Sequence, residues 1–172
     1  VSAAKLAQAG FTGAPALIVE EASEYWQDLG ERWYMLEQYY KPYPVCRWAQ
    51  APIEAALDLQ RTNGFSHRDV TGLEIETFHE AIRLATSAPE TTEQAQYSTS
   101  FPVAVALVHG DVTPASIADD ALGDPDVMRL SQMLVMREQD HANAHFPTRR
   151  YARAKITLRD GRVLESRSEE HT

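Results

Sequence analysis

The sequence predicts an α+β protein, a two-layer sandwich in which helices cover a mainly antiparallel sheet. Two observations support this class: roughly four or five strand-like segments alternate with helical ones, and most of the strands come late in the chain. The chain has 172 residues, of which 44% are hydrophobic and 24% charged. This length and composition are typical of one soluble globular domain with a real core.

The first forty residues predict two short helices and a strand. Residues 2–9 have a helical pattern closed by Gly10, a favoured residue just past a helix end. Residues 11–30 predict a loop and a short helix. The segment "RWYMLEQYY" (32–40) is aromatic and partly alternating, and therefore predicts a strand. The two prolines that follow cannot donate ladder hydrogen bonds, so we expect a rigid extended loop after this strand.

The middle of the chain predicts two buried helices around a strand. Apolar residues recur at helical spacing over 47–60, and Asn63-Gly64 closes that helix. Within 69–85, acidic and apolar residues interleave as in a half-solvated antiparallel strand. Residues 92–108 predict a second, buried helix.

The last third predicts two more helices and the remaining strands. Thr113-Pro114 opens a short helix, and Asp124-Pro125 opens another that runs to about residue 132. Residues 133–140 predict a strand. Residues 151–168 predict a hairpin turning at Asp160-Gly161, a strong short-range turn signal.

Charge and cysteine content exclude several classes of function. The 25 acidic residues outnumber the 16 basic ones, giving a net charge of −9, so we expect neither nucleic acid nor a membrane surface as a partner. The longest apolar run, "FPVAVALV" (101–108), is too short for a membrane helix. The single cysteine, Cys46, cannot form an internal disulfide, which favours a cytoplasmic location.

Four segments, read in order, resemble consecutive blocks of the MmgE/PrpD family. They are "AAKLAQAGFTGAPALIVEE", "KPYPVCRWAQAPIEAALDL", "EQAQYSTSFPVAVALVHGDVT" and "ARAKITLRDGRVLESR". The lysine-proline-aromatic-proline block is the most specific of them. The resemblance implies the family's α+β lid domain over residues 11–172, with residues 1–10 the end of a helix leading in from an absent all-helical domain. The helical start at Val1 and the polar end "ESRSEEHT" agree with a piece of a longer polypeptide.

The family includes 2-methylcitrate dehydratase, cis-aconitate decarboxylase and iminodisuccinate epimerase. The resemblance implies the lid of a cofactor-independent hydro-lyase for small di- or tricarboxylates such as 2-methylcitrate, an intermediate of propionate catabolism. The general acid and base would come from the helical domain, so this chain alone would be inactive, and the full-length enzyme would be a homodimer. Two alternatives stay open: the lid of an epimerase or decarboxylase, and a free-standing, non-catalytic anion-binding domain.

The resemblance makes Lys41 the main candidate for binding a substrate carboxylate. Prolines flank the aromatic residue that follows it and restrict the backbone, so the ammonium would be presented at low entropic cost. Arg47 stands at a helix start, where anions are favoured, and would complete a carboxylate cradle. An ordinary surface arginine is the alternative reading. Cys46 is interpreted as a small buried residue rather than a nucleophile, because the family varies at this position.

Three further residues are compared with the family's pattern. Gln50 replaces a common histidine, which would remove a titratable group from the cleft. Ser98 matches a family serine, whereas Phe101 stands where relatives have a tyrosine whose hydroxyl can reach the substrate. His141 and His145 have a spacing that could hold zinc on a helix, but no nearby glutamate completes a hydrolase motif, and we expect no metal site.

Overall fold

The computed structural model describes residues 2–13, 17–167 and 169–170. The chain divides into two compact units, Val1–Tyr39 and Tyr40–Thr172. The α-helices of the described residues are α1 (Ser2–Gln8), α2 (Leu17–Glu21), α3 (Gln50–Asn63), α4 (His79–Ile82), α5 (Thr92–Gln96), α6 (Ser100–His109), α7 (Pro125–Met133) and α8 (Asp140–His145). The strands are β1 (Val70–Thr77), β2 (Leu134–Glu138), β3 (Tyr151–Leu158), β4 (Val163–Glu165) and β5 (Glu169–Glu170).

The first unit consists of α1, α2 and short 3₁₀ turns. The predicted strand at 32–40 is wrong, because Tyr34–Glu37 forms a 3₁₀ turn instead. The guanidinium of Arg32 donates to the carboxylate of Glu37 at 2.6 Å and lies 4.4 Å from the centre of the Tyr34 ring. These local contacts draw the segment into a turn, whereas a strand needs a neighbour for its backbone groups.

The second unit contains a five-stranded mixed sheet with the order β2-β1-β3-β4, and β5 pairs with the start of β3. β1 runs antiparallel to β3 and parallel to β2. The parallel pair departs from the antiparallel surroundings predicted for residues 69–85. β2 runs parallel to β1 because the helices α4–α7 between the two strands carry the chain back to the end of the sheet at which β1 starts. The remaining pairs are antiparallel, so the predicted α+β class with a mainly antiparallel sheet is confirmed.

The two faces of the sheet differ as the alternating pattern predicted. In β1, Leu73 and Ile75 are buried, whereas the glutamates between them are partly exposed. β3 alternates in the same way, with Ala154 and Ile156 buried. The opposite face carries ion pairs, including Arg153 with Glu165 at 3.1 Å. One face therefore belongs to the core and the other is charged, which is the arrangement of a two-layer fold.

The helical layer is built around α6. α3 packs on β3, α7 packs on β1, and α6 packs against both of these helices. The predicted helix 92–108 is two helices, because the Ser98 hydroxyl accepts from the Phe101 amide at 3.0 Å and starts α6 anew. α3 ends as predicted at Gly64, whose φ of 63° lies in the left-handed region that glycine adopts readily.

The last third follows the prediction with one difference. The helix predicted after Thr113-Pro114 is a pair of 3₁₀ turns, Ala115–Ile117 and Asp119–Ala121. α7 begins at the predicted proline, with the Asp124 carboxylate accepting from two backbone amides. The hairpin turns at Asp160-Gly161 as predicted. No helix in the described ranges is long and apolar enough to span a bilayer.

Candidate functional site

A cleft of about 360 Å³ opens within the second unit. It is lined by Lys41, Pro44, Val45, Cys46, Arg47, Gln96 and Tyr97. Three of the six residues singled out from the sequence, Lys41, Cys46 and Arg47, therefore lie together on its wall. We call this feature the Lys41 cleft.

The loop that carries Lys41 is fastened by the side chain of Gln50. Gln50 is fully buried at the start of α3, where its amide oxygen accepts from the Tyr43 amide at 3.1 Å. Its amide nitrogen donates to the carbonyls of Tyr43 and Val45, both at 3.2 Å. One side chain thus satisfies three backbone groups of the loop, which makes the loop's course well defined.

Lys41 itself is anchored to the same loop. Its ammonium donates to the Val45 carbonyl at 3.0 Å, and the residue is exposed. An ammonium has three donors, so this bond directs the group and leaves capacity for an anion.

The opposite wall of the Lys41 cleft comes from the end of α5. The Cys46 amide donates to the Gln96 carbonyl at 2.7 Å and joins the loop to this helix. Tyr97 is 58% exposed and adds a phenol to the cleft. Neither residue was predicted as part of the site, although both directly precede Ser98 in a block quoted for the family resemblance.

Tyr43 connects the loop that carries Lys41 to α3. Its side chain is buried and its hydroxyl donates to the Glu54 carboxylate of α3. Burial, and then this bond to a carboxylate, raises the pKa of Tyr43 to about 12. The phenol consequently remains a neutral hydrogen-bond donor across the physiological range.

Arg47 lies in a 3₁₀ turn, Arg47–Ala49, that leads directly into α3. Burial lowers the pKa of Arg47, and the positive charge of Arg150 lowers it further. The next residue, Trp48, packs edge-on against Phe146 with ring centres 5.8 Å apart. This packing brings the connection between α8 and β3, which contains Arg150, beside the turn that carries Arg47. Arg150 had no sequence signal, because the two arginines lie far apart in the chain.

The other three predicted residues are fully buried and are not among the residues that line the cleft. Gln50 holds the loop, as described above. The Ser98 hydroxyl donates to the Thr86 carbonyl at 2.6 Å and also starts α6. Phe101 is part of the main hydrophobic core. All three side chains therefore contact the backbone or the hydrophobic core of the chain itself.

The charges that line the Lys41 cleft would favour an anion over a cation. The cleft concentrates an ammonium and a guanidinium, with a second guanidinium nearby, in a chain whose net charge is −9. Among the described residues that line it there is neither a carboxylate nor an imidazole. The titratable groups that line it besides Arg47 are the Lys41 ammonium, the Cys46 thiol and the Tyr97 phenol, so a carboxylate or an imidazole for proton transfer would have to come from elsewhere.

The histidine pair is not among the residues that line the cleft. His141 and His145 belong to α8, their rings are 4.4 Å apart, and the Nδ1 of His145 donates to the His141 carbonyl at 2.8 Å. Across the described ranges, no three residues among His, Cys, Asp and Glu are grouped so that they could hold a metal ion.

Comparison with known proteins finds a family match that lies within the second unit. Residues 43–172 match the sequence profile of the MmgE/PrpD C-terminal domain. A search of curated proteins finds no match. The profile begins inside the loop that carries Lys41, and therefore covers α3, the sheet and most residues that line the Lys41 cleft.

Proposed function

The chain belongs to the MmgE/PrpD family, and on that premise we propose that it is the substrate-closing lid of a cofactor-independent carboxylate hydro-lyase. Its substrate is a small di- or tricarboxylate such as 2-methylcitrate, and the enzyme works in the cytoplasm. The observation that carries the proposal is the Lys41 ammonium, held at a cationic cleft by a loop that Gln50 fastens.

The role of Lys41 follows from the charge that develops in such a reaction. Removing a proton next to a carboxylate places additional negative charge on its oxygens. A fixed ammonium stabilises that state more than the ground state, and so accelerates the reaction. The Val45 carbonyl and the Gln50 side chain hold the ammonium and its loop in advance, so little reorganisation is needed.

The acid and base of the reaction belong, in this proposal, to an all-helical domain of the same polypeptide. Residues 1–10 are the end of a helix that leads in from it, and residues 11–172 are the lid. Support comes from large apolar side chains that are open to solvent, such as Leu36 at 79% exposure. Exposed apolar surface of this kind often marks an interface. Closing the lid over the substrate excludes water, and the complete enzyme is a homodimer.

A second candidate, the lid of an epimerase or decarboxylase of the same family, is favoured by Phe101. This residue stands at a tyrosine of relatives, and its ring is fully buried without a hydroxyl group. A substrate lacking the hydroxyl that is lost as water would not require that donor. A free-standing anion-binding domain is the third candidate.

Product analysis of the complete polypeptide separates these candidates. We expect the complete polypeptide to remove water from 2-methylcitrate, a reaction that NMR spectroscopy can monitor. The 172-residue chain alone should show no turnover. Release of carbon dioxide from cis-aconitate, or epimerisation of iminodisuccinate, would instead identify the second candidate. Turnover of none of the three substrates would overturn both lid proposals and leave the anion-binding domain.

A further inference from the structure

An open pocket of about 390 Å³ lies in the second unit, at the start of β1. It is lined by Arg68, Asp126, Arg129 and Arg159. Arg68 belongs to the turn just before β1, Arg129 to α7, and Arg159 directly follows β3. Because β1 and β3 are antiparallel, the start of one strand lies beside the end of the other, and arginines from distant parts of the chain meet there. We call this feature the arginine pocket.

The arginine pocket is separate from the Lys41 cleft. The two share no lining residue. Trp48, which follows the cleft residue Arg47, packs edge-on against Phe78 just beyond the end of β1, with ring centres 5.9 Å apart. The arginine pocket lies at the start of the same strand, which has eight residues and is therefore about 25 Å long. An anion bound in one of the two consequently does not occupy the other.

Two of the arginines hold the turn that carries the third. The guanidinium of Arg129 donates to the carbonyls of His67 at 2.8 Å and Val70 at 3.2 Å. That of Arg159 donates to the Arg68 carbonyl at 3.2 Å. A guanidinium has five N–H donors, so these bonds position both groups and leave donors for a ligand.

The three guanidinium groups of the arginine pocket are not paired with carboxylates. Among the described residues, none of the three takes part in an ion pair. Asp126, the carboxylate that lines the pocket, lies 3.4 Å from Nε2 of His67, and the nearby Asp160 pairs with Arg162 at 2.8 Å. Like charges repel one another, so an anion with more than one negative charge would be attracted to this pocket.

We propose that the arginine pocket binds a phosphate group, either free phosphate or the phosphate of an ester. Such a group carries about −1.5 to −2 charge near pH 7 and presents at least three acceptor oxygens. Planar N–H pairs that come from three directions match these oxygens, whereas a carboxylate offers two oxygens and a single charge. This inference concerns a different pocket from the Lys41 cleft and does not depend on the proposed function.

The test is a calorimetric titration of the 172-residue chain with inorganic phosphate, phenyl phosphate and acetate. Both phosphates should bind at least about 10-fold more tightly than acetate. The backbone amide signals of residues 67–69 should shift in ¹⁵N NMR spectra when phosphate is added.

Arg68→Gln should weaken phosphate binding about 10-fold. Arg68 is exposed, and its side chain makes no hydrogen bond with another described residue, so the melting temperature without phosphate should barely change. Arg68→Lys keeps the charge but removes the planar donor pair, and should weaken binding about threefold.

Arg83→Gln is the matched control, because it removes the same charge from an exposed residue that does not line the pocket. It should alter phosphate affinity less than about twofold. Phosphate should therefore raise the melting temperature of the native chain and of Arg83→Gln equally, and that of Arg68→Gln less.

The outcomes separate this inference from the proposed function. Phosphate binding that is lost in Lys41→Met but kept in Arg68→Gln would place the anion in the Lys41 cleft and overturn the arginine pocket, with the proposed function left standing. Equal affinities of Arg68→Gln and Arg83→Gln, or no binding of either phosphate, would also overturn it.

The two phosphates identify the source of the group. Similar affinities for both would support the arginine pocket with free phosphate as its ligand. Binding of phenyl phosphate about 10-fold or more tighter than inorganic phosphate would support it with a phosphate ester.

Discussion

The two compact units of the chain, residues 1–39 and 40–172, use their apolar side chains in opposite ways. In the first unit, outside residues 1, 14–16, 18 and 19, no side chain is buried, and Leu29 is 71% exposed. In the second unit the apolar residues of α6 from Phe101 to Leu107 are almost completely buried between α3 and α7. Apolar content alone therefore does not make a core, because burial requires partners from distant parts of the sequence.

The largest expected effect that tests this comparison comes from truncating one aromatic residue in each unit. Phe101→Ala should lower the free energy of unfolding by about 3–5 kcal/mol, because it removes a fully buried ring and leaves a cavity. Trp33→Ala, at a side chain 59% exposed, should change it by less than about 1 kcal/mol. Urea denaturation followed by circular dichroism measures both. Equal losses would show that the first unit has a core of its own.

A smaller effect is expected from the polar anchor of the Lys41 loop. Gln50→Leu leaves the buried Tyr43 amide without its acceptor and should cost about 1–3 kcal/mol. Gln38→Leu, at an exposed position of the first unit, is the matched control and should be nearly neutral. Hydrogen exchange at the Tyr43 amide should accelerate in Gln50→Leu. Unchanged exchange would mean that the loop is held by other contacts.

The smallest effect concerns the pH dependence of Tyr43. Its pKa is raised to about 12 in the folded chain, whereas an unfolded tyrosine ionises near pH 10. Stability from this group is thus fully present below pH 10 and is lost as the pH rises toward 12.

Tyr43→Phe removes that titration, so its unfolding free energy should fall less steeply between pH 10 and pH 12 than that of the native chain. The comparison is made by denaturation at fixed pH values. Parallel curves would show that the Tyr43 hydroxyl is as free to ionise in the folded chain as in the unfolded one.

Local signals in the sequence predicted the fold where the structure is itself local. The hairpin at Asp160-Gly161 and the end of α3 at Gly64 follow from turn and cap chemistry that involves only neighbouring residues. The strand predicted at 32–40 failed because alternation specifies a strand only when a partner strand is present. The break between α5 and α6 was missed because it depends on one side chain, Ser98, bonding to the backbone.

The site was likewise predictable only where its residues are close in sequence. Lys41, Cys46 and Arg47 are close in sequence, and the loop keeps them close in space. From the sequence, Gln50 was interpreted only as replacing a titratable histidine. In the structure its side chain forms the hydrogen bonds that hold the Lys41 loop. Arg150 could not be found from sequence, since its position beside Arg47 depends on the packing of Trp48 on Phe146.

The most direct test of the central claim is Lys41→Met in the complete polypeptide with its true substrate. The change keeps most of the side-chain stem and removes the ammonium. A charge-assisted bond to a carboxylate contributes about 1.5–3 kcal/mol, and more if it strengthens in the transition state. We therefore expect kcat/KM to fall about 10- to 1,000-fold, with the melting temperature almost unchanged.

Lys155→Met is the control, because Lys155 pairs with Glu165 on the charged face of the sheet and should leave kcat/KM unchanged. A fall in kcat/KM for Lys41→Met, without a fall for Lys155→Met, is the result that the Lys41 cleft predicts. An unchanged kcat/KM for Lys41→Met would contradict it and reduce the loop to a structural support.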